Sequence, residues 1–72
     1  METRLNRNLY TEKGVREAMA AFQDLCTVTL RKEGEVFHLS FRDVDAEIED
    51  TLLDEFHNYA LYASVAGKKT WQ

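Results

Sequence analysis

Two runs in the middle of the chain alternate between apolar and polar residues, with a glycine-centred tetrapeptide between them. Cys26-Thr-Val-Thr-Leu-Arg31 and Val36-Phe-His-Leu-Ser-Phe41 have the period of two that a half-buried β-strand requires. Lys32-Glu33-Gly34-Glu35 joins them, and Glu33-Gly34 as the turn residues predicts a tight hairpin, with Gly34 supplying a positive φ. In that register Leu30 faces Phe37, Val28 faces Leu39 and Cys26 faces Phe41, all on one side. The other side pairs Arg31 with Val36, Thr29 with His38 and Thr27 with Ser40. A slip of one residue would scatter the apolar set over both faces, so the pattern itself selects the pairing. Whatever else the chain forms must cover one apolar hairpin face.

Helices are available on both sides of the hairpin. Val15, Ala18, Met19, Phe22 and Leu25 recur at helical spacing, predicting helix one over Glu12–Asp24 with Thr11 as N-cap. Gly14 stands where a capping box would carry an acid. Ile48, Leu52, Phe56, Tyr59 and Ala63 form a second stripe, predicting helix two from Asp45 or Ala46 to Gly67. Asp45, Glu47 and Glu49 would then stand near its positive end. Before helix one, Arg4–Leu9 is expected to form an edge strand. Thr70-Trp71-Gln72 is a short tail whose Trp71 is expected either to fray or to cover an apolar patch.

The order β-α-β-β-α segregates strands from helices. The expected fold is α+β: a small antiparallel sheet with two helices on one face, a ferredoxin-like plan lacking the last strand. In that plan the Val36–Phe41 strand lies between the other two. The sheet face bearing Thr27, Thr29, Arg31, His38 and Ser40 stays uncovered, and the N-terminal strand has an open edge.

Seventy-two residues, 44% hydrophobic and 31% charged, make a single domain, 1–72. A chain this short buries only about 60% of the surface its unfolded form exposes, so a partner chain or oligomerisation would help it. The net charge of −4 is unevenly spread: all seven carboxylates after Arg42 lie between Asp43 and Glu55. An acidic chain without a basic stripe repels phosphate, which argues against nucleic acid and anionic membranes as partners. One cysteine and no long apolar segment predict a cytoplasmic protein.

Chemistry is sparse. Cys26 and His38 fall on opposite faces of the predicted hairpin, and no paired Cys or His spacing exists, so neither a metal nor a Cys–His nucleophile is expected. Glu47, Asp50 and Asp54 share a helical face, but as a solvated one. Glycine is too scattered to cradle a phosphate, so no cofactor is expected. His57 lies beside the helix-two stripe as a partly exposed residue. The chain is therefore read as not an enzyme, with a small enzyme using Asp/Glu and His57 the weakest reading. One excess stands out: Leu61, Tyr62 and Val65 form a second apolar surface on helix two, beside Leu53 and Ala60. Either a wide core stripe or a protein partner accounts for it.

Tyr10-Thr11, Val15, Ala18, Phe22, Asp24, Val28-x-Leu30 and Phe56-x-Asn58-x-Ala60-Leu61-x-x-x-Val65 together resemble the His-Xaa-Ser system protein D (HxsD-like) family, over roughly residues 9–66. The family's arginine after the last apolar position is replaced by Ala66. The resemblance implies a bacterial accessory protein without an assigned catalytic role, working beside radical-SAM proteins and a modified repeat peptide. A small binding protein for the precursor peptide or the maturase is the resulting expectation. Asn58, Leu61, Tyr62 and Val65 are the candidate partner-binding residues, with the open edge near Arg4–Leu9 as an alternative surface. A structural homodimer through the same surfaces is the competing reading.

Overall fold

A computed structural model describes residues 1–67. Its elements are β1 (Glu2–Asn6), α1 (Glu12–Ala21), β2 (Thr27–Glu33), β3 (Val36–Arg42) and α2 (Leu52–Gly67). The strands form one antiparallel sheet in the order β1-β3-β2. This is the α+β, β-α-β-β-α arrangement expected, with β3 central. Trp71 and its neighbours lie outside the described residues.

The hairpin keeps its faces but shifts its register by two. Leu30 pairs with Leu39, Val28 with Phe41 and Glu33 with Val36, so Gly34-Glu35 are the turn residues rather than Glu33-Gly34. Gly34 has φ +59°, and Glu35 is not among the residues with positive φ. That is the type II′ pattern, which wants glycine at the first central position. A shift of two preserves strand parity, so the residues expected to face the core still do. Phe37, Leu39, Phe41 and Cys26 are buried.

β1 starts and ends earlier than expected, because Asn6 turns the chain. Its side-chain oxygen accepts the N–H of Asn8 at 2.7 Å, and its carbonyl accepts those of Leu9 and Tyr10 at 3.0 Å. An Asx turn of this kind competes with strand continuation. Leu5 therefore reaches the core while Leu9 stays 60% exposed. Arg7, just past β1, clasps the hairpin tip instead. Its backbone N–H and its guanidinium each bond at 2.9 Å, to the carbonyls of Glu35 and Gly34.

α1 ends at Ala21, three residues before the predicted Asp24. Phe22 takes φ −102°, ψ 5°, and its carbonyl accepts from Leu25 and Cys26 in a tight turn that delivers the chain to β2. The start is as expected: the Gly14 N–H donates to the Thr11 hydroxyl at 3.0 Å.

α2 begins at Leu52, not near Asp45. Residues 46–51 form successive turns, with Ile48 N–H on the Asp45 carbonyl and Thr51 N–H on the Ile48 carbonyl, both at 3.0 Å. The Asp45 carboxylate accepts the N–H of Glu47 at 2.9 Å, and Asp43 sits at φ +54°. Crowded like charges and a local side-chain acceptor both disfavour helix here. The acids in the first turn of α2 are consequently Asp54 and Glu55.

Between helices and sheet, Phe56 packs edge-on against Phe41 at 5.1 Å and against Phe22 at 5.4 Å between ring centres. Such pairs contribute about 0.5–1.5 kcal/mol each beyond simple burial. Leu5, Val15, Ala18, Leu39 and Leu52 fill the space around them.

The helices meet at a point that the sequence pattern conceals. A Cβ on Gly14 would lie 2.4 Å from Ser64 Oγ, 2.7 Å from its nitrogen and 2.9 Å from its Cα. Gly14 thus lets α1 and α2 touch backbone to backbone. Ser64 is fully buried there, its Oγ accepting the Thr11 N–H at 2.9 Å. The residue that caps α1 is itself held by α2.

Candidate functional site

α2 carries the four candidate residues on one outward line. Asn58, Leu61, Tyr62 and Val65 follow the i, i+3, i+4, i+7 rule and are all exposed: Leu61 by 41%, Tyr62 by 73% and Val65 by 47%. The core line, Leu52, Phe56, Ala60 and Ala63, lies on the opposite side. Tyr59, expected in the core, is 42% exposed and touches Phe22 edge-on at 6.1 Å between ring centres. Ala60 and Ser64 replace it in the interior. The burial line passes through these small residues, and the size of Ser64 admits Gly14 of α1.

The outer face of α2 changes character along its length. Asp54, Glu55 and Asn58 occupy the first half and are exposed; Leu61, Tyr62 and Val65 occupy the second. A tyrosine between two aliphatic residues, next to a polar segment, suits a contact that is apolar at its centre and wet at its rim.

His57 lies beside this line and has a structural partner. Its Nε2 is 2.8 Å from the Thr3 hydroxyl, which ties α2 to β1. His38 stands on the uncovered sheet face, between Glu2 at 3.2 Å and the Arg31 guanidinium at 3.4 Å. Arg31 in turn pairs with Glu33. This string of alternating groups crosses all three strands.

Cys26 is buried, its thiol against the Phe22 carbonyl at 3.7 Å, and burial pushes its pKa up, away from a reactive thiolate. Cys26 and His38 lie on opposite faces, as expected. Among the described residues no group of three or more His, Cys, Asp or Glu could hold a metal.

Neither of the two described concavities is lined by a residue of α2. One, of about 310 Å³, runs between the end of α1 and the start of β2, lined by Met19, Ala20, Gln23, Cys26, Thr27 and Val28. A shallower one follows the exposed side of α1 from Glu12 to Ala20. There the Arg16 and Lys32 side chains hold the Glu12 carboxyl below its ordinary pKa. The groove beside Cys26 was not foreseen, because the early end of α1 opens it and the periodicity carried α1 through to Asp24.

No helix among the described residues is long and apolar enough to cross a membrane. The chain matches no protein-family model, no curated protein and no solved structure.

Proposed function

We propose that this protein is a small non-catalytic binding protein, and that the second half of the outer α2 face is its docking surface. The observation that carries the reading is the exposed Leu61–Tyr62–Val65 line, turned away from a core that α2 already fills with its other side. Apolar side chains clustered in this way on so small a domain suit a protein contact. The partner class comes from the resemblance to the His-Xaa-Ser system protein D family: a precursor peptide, or the radical-SAM enzyme that modifies it. Asn58, one turn before Leu61, would supply an oriented hydrogen bond at the rim.

An enzyme using Asp/Glu and His57 draws less support. The hydroxyl of Thr3 already occupies His57, and both described concavities are lined by α1 and β2 residues rather than by the acids of α2.

The test is a titration of isotope-labelled protein with a His-Xaa-Ser repeat precursor peptide and with a radical-SAM maturase. Shift changes should map to Asn58, Leu61, Tyr62 and Val65, and Leu61→Asp should weaken binding at least ~10-fold with the fold intact, as expected for a buried interface anchor. Saturating partner with no change along this line removes the proposal.

A further inference from the structure

The two sheet edges differ in a way that bears on self-association. Met1 and Phe41 exchange backbone bonds, and the Arg7 N–H donates to the Glu35 carbonyl. Antiparallel alternation then makes Thr3–Leu39 and Leu5–Phe37 the bonded pairs of β1 and β3. The backbone groups of Glu2 and Arg4 therefore point away from the sheet, towards the open edge. The Glu2 and Arg4 side chains lie on the uncovered face, opposite Ser40 and His38. At the other edge the outward groups belong to Val28, Leu30 and Lys32, and the Lys32 ammonium is tied to Glu12 of α1 at 3.2 Å.

We infer that β1 pairs antiparallel with β1 of a second copy, about a two-fold axis at Thr3, joining two three-stranded sheets into one. Symmetric registers centred on Glu2, Thr3, Arg4 or Leu5 keep both helix layers on one side and aim free backbone groups at each other; the one on Leu5 sets Arg4 opposite the partner's Asn6 and forms no ion pair. Centring the axis on Glu2 opposes two carboxylates, and centring it on Arg4 opposes two guanidinium groups; like charges directly opposite destabilise a sheet. Centring it on Thr3 sets Glu2 opposite the partner's Arg4, and Arg4 opposite the partner's Glu2. Each pair exchanges both of its backbone bonds and adds an ion pair. Glu2, already beside His38, then lies between two cationic partners when that ring is protonated.

The helix side of the same register is also self-consistent. Thr3 meets the partner's Thr3, and Met1, 44% exposed in the single chain, stands opposite the partner's Leu5 in the register. His57, bonded to Thr3, stands over the axis. The pairing closes the β1 edge, a feature that sheet proteins otherwise have to protect. It also leaves Tyr62 and Val65 free, so it does not rest on the proposed function.

Sedimentation equilibrium of the full chain tests it. The expected mass is 16.8 kDa, twice 8.4 kDa. Arg4→Glu and Glu2→Arg should each raise the dimer dissociation constant at least ~10-fold, and the double variant E2R/R4E should return it to near the starting value, because the swap restores opposite charges. Thr3→Cys should form an intermolecular disulfide on mild oxidation, since opposed residues at a non-bonded antiparallel position are about 4.5 Å apart between Cα atoms. Thr29→Cys, on the sheet face away from the axis, should not. An 8.4 kDa monomer at high micromolar concentration overturns the inference. So does a dimer that survives both charge reversals, or one that Leu61→Asp dissociates and Arg4→Glu does not.

Discussion

The inner and outer faces of α2 share one backbone, yet they obey different constraints. Inward, Phe56, Ala60 and Ser64 are fully buried, and no atom can be added at Gly14 without meeting the backbone of Ser64. Outward, Asn58, Leu61, Tyr62 and Val65 lie in open solvent. Packing determines the first face residue by residue. Among the described residues no such packing determines the second, and that contrast is the physical basis for proposing function there.

Substitutions can break the contrast, and their expected effects fall in a definite order. Phe56→Ala removes the ring that joins Phe22 to Phe41 and should cost ~3–5 kcal/mol in denaturant unfolding, enough to unfold a domain this small. Gly14→Ala should cost ~1–3 kcal/mol by overpacking, despite the better helix propensity of alanine, because two of the three clashing atoms, the nitrogen and Cα of Ser64, are backbone. A stabilised Gly14→Ala protein would show that the helices separate easily, and the inner face would lose its special status. Ser64→Ala orphans the Thr11 N–H and should cost about 1–3 kcal/mol, with faster amide exchange at the start of α1. Tyr62→Ser should change stability by no more than ~0.5 kcal/mol, since it alters only the exposed face. A larger loss there would mean that the outer line belongs to the fold.

One expectation depends on pH. Burial raises the folded-state pKa of Cys26, so between the ordinary thiol value of 9.0 and that raised value the unfolded chain has lost the proton that the folded chain keeps. Stability is fully present below pH 9.0 and declines as pH rises through that window. Comparing denaturation midpoints of the native chain and Cys26→Ala across that range isolates the contribution.

Much of the fold was legible because strand parity and helical period are local and repeated. The alternation over Thr27–Phe41 assigned the strand faces correctly even with the turn misplaced by one residue, because the pairing shifted by two. Thr11 was recognisable as a cap because its bond to Gly14 is formed within four residues. The candidate line on α2 was legible as a pattern too, and its exposure agrees with a surface role. The α2 boundary was less legible: apolar spacing at Ile48 continued into Leu52, while residues 46–51 follow an Asx turn at Asp45 as successive turns rather than helix.

By itself the sequence determined the element types, their order and which residues of the hairpin face inward, since these follow from periodicity along the chain. Only the tertiary structure decided that Gly14 marks a contact with Ser64, that His57 belongs to Thr3, and that α2 uses Ala60 rather than Tyr59 to reach the core. Each of these is a meeting of residues far apart in the chain, where the geometry of two elements in space, and not the preference of either, selects the side chain that fits.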